Sequence, residues 1–345
     1  MMKIVVAIDS FKGCLTSMEA NRAAAEGIKR RWPDAEVVQV PVSDGGEGFL
    51  EAFQAAIGGT EVEVSVNDPL MRPIVAKYLL KDETAVIEMA QASGLMLLTK
   101  EERNPMVATT YGTGQLVADA VQRGAKHIIV GLGGSATSDA GMGMLEAIQN
   151  SQCIIQSDVR FTIATDVKNP LCGDNGAAHV FAPQKGATPE EVVALDNRAR
   201  RFAEESAKRF GYDRSEMEGA GAAGGLGYAF LQYLNADCKS GIQLLLDTIR
   251  FDEIIKDADL IITGEGSADC QTLMGKLPMG ILQRAGDIPV MLIAGRVRDR
   301  DELLKAGFDA VECINPDGIT LEEAMCKEVA MRNISKVRFN VKCKI

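Results

Sequence analysis

Histidine and paired cysteines are scarce in this sequence, and their scarcity excludes several kinds of catalytic site. Only His127 and His179 are present, and His127 adjoins an apolar stretch, which leaves His179 as the one candidate base. The eight cysteines lie at wide, irregular intervals without a CxxC pair, which predicts reduced, mostly buried thiols. We therefore expect no histidine-based metal site, serine–histidine triad, disulfide framework or zinc site.

Long apolar runs and an excess of positive charge are also missing. No stretch approaches the roughly 20 apolar residues that cross a bilayer, and residues 1–10 read as a strand, not as a signal peptide. Acidic side chains (48) outnumber basic ones (37), whereas nucleic-acid-binding surfaces concentrate positive charge. We expect a cytoplasmic protein that binds neither membrane nor nucleic acid and that holds any anionic ligand locally.

The common nucleotide-binding motifs are absent or stand in the wrong context. Residues 219–224 match GxGxxG, but a charged segment precedes them where a Rossmann fingerprint requires a strand. No GxxxxGK[ST] sequence occurs, which excludes a P-loop, and the protein-kinase signatures are missing as well. The glycines of 219–227 are instead predicted to start a tightly packed helix whose free N–H groups could face a phosphate.

The order of strand and helix patterns predicts two domains, in keeping with a length of 345 residues. A strand–helix–strand unit opens the chain, alternating strands follow at 60–88, short strands are expected at 153–156 and 160–165, and α/β character returns at 258–314. Both chain ends are therefore assigned to one parallel-sheet domain, with the middle inserted. The predicted bounds are 1–60 with 251–345 for the first domain and 61–250 for the second.

The most informative stretch is the segment 126–144, where a buried strand breaks into a glycine-rich loop. Gly131, Gly133 and Gly134 allow a sharp turn and a close backbone approach to a ligand. The side chains that follow, at 135–139, fall where a helix starts and where free N–H groups can bind an anion. The alternative, an ordinary turn in which Ser138 or Asp139 caps the helix, stays open.

Four further loops combine glycine or lysine with acidic side chains, at residues 9–12, 44–48, 165–170 and 264–269. Carboxylates among backbone N–H donors suit a magnesium–phosphate site, because Mg²⁺ prefers oxygen ligands and retains water. The positive charge could come from Lys12, Lys168, Lys185 or Lys276. For any single aspartate, helix capping or an Asx-turn remains the simpler interpretation.

Eight motifs, taken in order, resemble the bacterial glycerate kinase family, whose members phosphorylate D-glycerate from ATP. They are IDSFKGCLTS, VSDGGEG, RNPMVATTYGTG, GLGGSATSDAGMGM, TDVKNPLCG, FAPQKGATPE, GAGAAGGLG and ITGEGSADCQTLMGK, and the resemblance covers the chain from about residue 2 to residue 325. The resemblance implies a two-domain α/β enzyme with a flavodoxin-like domain formed by both termini and a second α/β domain inserted. It also implies ATP, Mg²⁺, a cleft between the domains, a phosphoglycerate product with 2-phosphoglycerate favoured, and a monomer or homodimer.

The sequence departs from the family pattern at three places. The segment 148–162 is shortened, and Ser267 and Cys270 stand where arginine and glycine are expected. The departures at Ser267 and Cys270 suggest one alternative, a nucleotide-binding relative with weakened or no catalysis. Two others stay open: a kinase of another small hydroxy acid or polyol that uses the same loops, and a dehydrogenase that uses the loop at 219–224.

With this resemblance, the candidate residues are assigned to four roles. The catalytic candidates are Asp139, Asp9, Lys12 and Lys276, with Asp139 or Asp9 as the base. The nucleotide-binding candidates are Gly131, Gly133, Gly134, Ser135, Thr137, Gly221, Gly224, Gly225, Gly264 and Glu265. The substrate-binding candidates are Ser10, Asp44, Gly45, Gly46, Arg72, Arg103 and Arg296, the arginines because a guanidinium matches the two oxygens of a carboxylate. The metal-binding candidates are Asp166 and Asp44.

Overall fold

The structure is a computed structural model that describes residues 1–43, 46 and 48–338. By contacts between residues, the chain divides into two compact units, residues 1–44 with 242–345 and residues 45–241. No helix of the described part is both long and apolar enough to cross a membrane.

The described strands form two sheets. They are β1 (Lys3–Ile8), β2 (Glu36–Gln39), β3 (Thr60–Asn67), β4 (Pro73–Lys81), β5 (Thr84–Glu88), β6 (His127–Gly131), β7 (Arg160–Ala164), β8 (Asp237–Lys239), β9 (Leu260–Ala268), β10 (Val290–Val297) and β11 (Ala310–Cys313). The helices are α1 (Ser17–Arg31), α2 (Phe49–Ile57), α3 (Ala90–Ser93), α4 (Tyr111–Gln122), α5 (Met142–Asn150), α6 (Ala177–Phe181), α7 (Pro189–Phe210), α8 (Ala222–Leu234), α9 (Gly241–Thr248), α10 (Phe251–Ile255), α11 (Leu277–Ala285), α12 (Arg300–Lys305), α13 (Leu321–Ala324) and α14 (Lys327–Ile334).

The first unit holds a five-stranded sheet in the order β2-β1-β9-β10-β11, in which every pairing is parallel. Read in chain order, this is the 2-1-3-4-5 order of flavodoxin-like folds, so the expected fold class is confirmed. Alternate residues Ile4, Val6 and Ile8 pack with α1 and α14 in one core, while Val5 and Ala7 on the opposite face are equally buried. Burial of both faces explains why these strands are continuous apolar runs.

The second unit holds a six-stranded mixed sheet in the order β3-β4-β5-β6-β7-β8. The strands β3 to β5 form an antiparallel meander, as the alternating pattern predicts, and β5 to β8 are parallel. Its core combines residues of β5 to β7 with α4, α5 and α8. Helix α7 is bounded by a Thr188–Glu191 capping box and by Gly211 in the left-handed conformation, which explains its length.

Three local predictions are wrong. Residues 153–156 form no strand: they connect α5 to β7, and Ile154 is 81% exposed, so this apolar run is not buried in a sheet. Residues 264–268, expected to form a loop, continue β9 because they pair with β10. The cysteines of the described part are free, as expected, but only Cys172 among them is buried.

Candidate functional sites

A cavity of about 910 Å³ opens in the first unit, where β1, β9, β10 and β11 end. In open parallel sheets, ligands bind outside the carboxyl ends of the strands, at the point where the strand order reverses, and β1 and β9 flank that point here. Six residues singled out from the sequence line the cavity: Asp9, Ser10, Lys12, Glu265, Lys276 and Arg296. Candidates separated widely in the sequence therefore share one cavity.

The register of two strands places Asp9 and Glu265 next to the same edge. Ile8 is paired with Gly264 across β1 and β9, and the N–H of Asp9 donates to the carbonyl of Gly264 at 2.9 Å. Asp9 directly follows Ile8, and Glu265 directly follows Gly264. The two residues are only 5% and 7% exposed. Two buried carboxylates thus adjoin the cavity.

Glu265 is held by a hydroxyl and an ammonium group. The Thr272 hydroxyl donates to Oε1 of Glu265 at 2.5 Å, and Nζ of Lys276 lies 3.4 Å from Oε2. Burial raises the pKa of the Glu265 carboxyl, while Thr272 and Lys276 oppose that shift. The contact with Glu265 therefore holds the ammonium group of Lys276 in a defined position at the cavity wall.

Two further cavity residues could bind a ligand. The hydroxyl of Ser10 is buried without a hydrogen-bond partner, although the N–H of Ser10 donates to Oδ1 of Asp9 at 2.8 Å. Arg296 is exposed, and Ser267, where the family pattern has arginine, is its register partner on β9. A guanidinium therefore stands one strand away from the substituted position.

In the second unit, the glycine loop that follows β6 is fastened by Asp139. Its carboxylate accepts from the N–H and hydroxyl of Thr110 at 2.8 and 2.9 Å, from the Thr109 hydroxyl at 3.3 Å, and from the N–H groups of Gly141 and Gly143 at 3.1 and 3.2 Å. The carboxylate thus satisfies two free N–H groups at the start of α5 and joins them to the Thr109 and Thr110 donors that precede α4. The geometry favours a structural role, and the assignment of Asp139 as the base stays a prediction.

The same loop rests on a buried lysine. Lys185 is 3% exposed, and its Nζ donates to the carbonyl of Thr137 at 2.6 Å and to the hydroxyl of Ser135 at 2.7 Å. Burial lowers the pKa of Lys185 to about 7, and Asp139 counteracts part of that effect. The sequence marks Lys185 only as one of several possible sources of charge, because burial cannot be read from the motif.

Backbone packing accounts for the glycines that follow. A Cβ at Gly224 would overlap the carbonyl of Thr137, one at Gly225 would lie 2.8 Å from Cα of Ala140, and one at Gly221 would overlap the carbonyl of Pro170. Gly224 and Gly225 have φ of 66° and 89°, inside what is nominally α8. These residues let two loops meet, and their assignment to nucleotide phosphates stays a prediction.

The remaining candidates lie apart from the cavity. Arg72 is paired with Asp68 and Glu102 at 2.5 and 2.6 Å, so its charge is already neutralised. Arg103 has a buried Nε without a partner, and its backbone lies against Gly186, beside Lys185.

Asp166 is partly exposed in the second unit, after β7. The carbonyl of Gly46 accepts from the N–H of Phe49 at 3.1 Å, at the start of α2. Asp44 and Gly45 lie outside the described residues. The arginines proposed for one carboxylate are thus distributed between the units, since Arg296 belongs to the first and Arg72 and Arg103 to the second.

Sequence reasoning missed three residues that hold these sites. Thr272 bonds Glu265, Thr110 bonds Asp139, and Arg198 donates to the carbonyls of Met106 and Ser138 at 3.1 and 2.9 Å. The threonine pair before α4 was a usable signal, since threonine is frequent just before a helix. No feature of the sequence indicated a role for Arg198, because it stands within a long polar helix.

A parallel sheet with a cavity at its strand-order reversal in one unit, and a mixed sheet with a glycine-rich loop in the other, define a two-unit protein of the α/β class. The sequence profile of the Glycerate kinase family matches residues 4–154 and 148–344. The chain belongs to this family of enzymes.

Individual relatives agree over almost their whole length. The Glycerate kinase of Bacillus subtilis is 42% identical, with 94% of this chain and 93% of that protein covered. The Glycerate 2-kinase of Escherichia coli is 39% identical, with 99% and 97% covered. A solved structure from Salmonella typhimurium LT2 is 38% identical and has a TM-score of 0.80, with 97% and 96% covered.

The profile match also bears on the shortened segment. Its two parts meet at residues 148–154, and the alignment with the Escherichia coli protein extends over 371 positions, more than the 345 residues of this chain. In the structure, α5 ends at Asn150 and β7 begins at Arg160. The short connection between α5 and β7 therefore lies where the two parts of the profile match meet.

Proposed function

We propose that this protein is an ATP-dependent, Mg²⁺-requiring kinase that phosphorylates D-glycerate to 2-phosphoglycerate. The names of the relatives, glycerate kinase and glycerate 2-kinase, support the acceptor and the position of transfer. The observation that carries the proposal is the convergence of three carboxylates, two lysines, an arginine and two serines on one cavity. Phosphoryl transfer needs such charge neutralisation and positioning more than covalent help.

The cavity has the composition that a nucleotide requires. One wall carries Lys276 and Arg296, which could neutralise phosphate charge, and another carries Ile319, Leu321 and Met325. Leu321 and Met325 are 79% and 42% exposed, so their apolar surface is accessible to a ligand in the cavity. We assign the phosphoryl donor to this cavity, with its base toward the apolar wall.

The available carboxylates fit a magnesium ion of the kind that phosphates help to hold. Within the described part of the chain, no three His, Cys, Asp or Glu side chains cluster as metal ligands. Mg²⁺ commonly takes one or two carboxylates, with water and phosphate oxygens completing its shell. Asp166 and Asp44 stay the predicted ligands, Asp44 lying outside the described residues, and a bound ion would neutralise phosphate charge.

The side chains of the cavity would have different roles in phosphoryl transfer. Lys276, held by Glu265, and Arg296 would stabilise the phosphoryl group as charge moves from the donor. Asp9 is our preferred group for accepting the proton of the substrate hydroxyl, because the oxygens of Asp139 already accept five hydrogen bonds.

The first experiment measures ATP consumption with D-glycerate, L-glycerate, glycerol or no acceptor, with and without EDTA. Phosphorus NMR then distinguishes 2-phosphoglycerate from 3-phosphoglycerate. We expect EDTA-sensitive turnover with D-glycerate alone. Turnover with a different acid would change the substrate, and nucleotide binding without turnover would indicate a relative with weakened catalysis, in line with Ser267 at the cavity wall.

A matched pair of variants tests the cavity itself. Lys276→Met should lower kcat by roughly a hundredfold, because one positive group next to the developing charge is lost. Lys256→Met removes an exposed lysine of the same unit and should leave kcat unchanged. Equal activities of the two variants would disprove the role of the cavity.

A further inference from the structure

Lys185 is an unusual lysine because its ammonium group is buried against neutral oxygens. Its two acceptors are the Ser135 hydroxyl and the Thr137 carbonyl, and no carboxylate of the described chain lies within ion-pair distance of Nζ. Burial of a charge without an ion-pair partner is costly, and proteins usually avoid it. In this protein the buried ammonium group lies against the glycine loop that joins β6 to α5.

Another polar group of the loop is also unmatched. The hydroxyl of Ser138, a residue that is 6% exposed, has no hydrogen-bond partner. Arg198 donates to two carbonyl groups, one of them that of Ser138. Two basic side chains, those of Lys185 and Arg198, thus contact a loop whose one carboxylate, that of Asp139, already accepts hydrogen bonds from Thr110, Gly141 and Gly143.

We propose that Lys185 is a positioning residue that holds residues 135–138 as a binding surface for an oxyanion and supplies its positive charge. The ligand group is a carboxylate or a phosphoryl group, which share this chemistry. This inference rests on the proposed function, because the oxyanion would belong either to the hydroxy acid or to the nucleotide.

Binding and protonation are then coupled. An oxyanion near the loop favours the charged form of Lys185 and so raises its pKa from about 7. Asp139 acts in the same direction. Above pH 7 the free protein holds Lys185 mostly neutral, so binding must take up a proton, and affinity should fall by up to about tenfold per pH unit.

The test is titration calorimetry of the full chain with D-glycerate alone and with a non-hydrolysable ATP analogue alone. Each titration is done at pH 8 in two buffers that differ in ionisation enthalpy, which gives the number of protons taken up. We expect proton uptake with one of the two ligands, and that ligand identifies the source of the oxyanion.

Two variants and a control separate charge from structure. Lys185→Met should weaken that ligand by roughly tenfold or more and abolish proton uptake. Lys185→Arg keeps a charge that does not titrate, so it should restore much of the affinity without proton uptake. Lys208→Met, which changes an exposed lysine of α7, should behave like the wild type.

Unchanged proton uptake in Lys185→Met or Lys185→Arg would overturn the proposal. If Lys185→Met does not fold, the arginine variant decides alone, because a merely structural role would leave its proton count as in the wild type. A wild-type protein that binds an oxyanion with proton uptake but phosphorylates nothing would refute the proposed function and leave this inference intact.

Discussion

At the scale of single residues, both sites are built on carboxylates whose main partners are short side chains or backbone N–H groups. Glu265 depends on Thr272 and Lys276, and Asp139 depends on Thr110 and the turn that precedes α5. The two carboxylates differ in burial cost and in the number of donors. Their removal should therefore have opposite effects on stability.

Glu265→Gln should stabilise the fold at neutral pH while lowering activity. Because burial raises the pKa of Glu265, the charged form is penalised in the folded state, and this penalty is present above the folded pKa and disappears at lower pH. We expect an increase in Tm of a few degrees at pH 7, on the order of 2 °C, that vanishes near pH 4. Thermal unfolding across this range, with kcat measured on the same samples, provides the check, and a lower Tm at pH 7 would refute it.

Asp139→Asn should destabilise the second unit by about 3 kcal/mol, because the amide NH₂ would face N–H donors in place of an acceptor oxygen. Urea unfolding measures this loss. A variant as stable as the wild type, but with kcat reduced by several orders of magnitude, would instead restore Asp139 as the base.

At the scale of elements, the left-handed turn inside α8 brings the segment 219–227 against the loop that follows β6. Gly224 permits the positive φ and also leaves room for the carbonyl of Thr137. Gly211, at the end of α7, has a similar φ of 77° but faces nothing within 4 Å. Substitution of Gly211 therefore measures the cost of the positive φ alone, whereas substitution of Gly224 measures that cost together with the cost of close packing.

Gly211→Ala should cost about 1 kcal/mol, the penalty of a Cβ in the left-handed region. Gly224→Ala should cost at least about 3 kcal/mol, because the loop must also move away. Urea denaturation of both variants gives the comparison. Equal losses would mean that the loop accommodates a methyl group without strain.

The elements also show how far the sequence can be interpreted. Strand β1 and the end of α1 at Arg31 follow from local pattern, and the five parallel strands follow from their apolar runs. The extension of β9 through residues 264–268 could not be predicted, since it depends on pairing with β10. Site residues could be proposed by type, but which of them meet is decided by strand register, as with Asp9 and Glu265.

At the scale of the whole molecule, each unit has a core of its own. One core joins β1, β9 and β10 to α1 and α14, and the other joins β5 to β7 with α4, α5 and α8. Residues 45–241 form one continuous stretch of chain, whereas the first unit is assembled from two pieces. This predicts different behaviour of the units when they are expressed alone.

A fragment of residues 45–241 should fold cooperatively by itself, because its core draws on no other part of the chain. Residues 1–44 should remain unfolded alone, since β1 and β2 lack their partners β9 to β11. Circular dichroism and urea unfolding of each fragment would show this. A non-cooperative transition of the longer fragment would contradict the prediction.

The pairing of β1 with β9 also has a consequence for protein synthesis. Ile4 lies beside Leu260, so during synthesis β1 precedes its neighbour β9 by the whole of the inserted unit. Closing so long a loop is entropically expensive, and a unit that has already folded within that loop shortens the chain that must be closed. Strand β1 would therefore stay available to chaperones until β9, its neighbour in the sheet, has been synthesised.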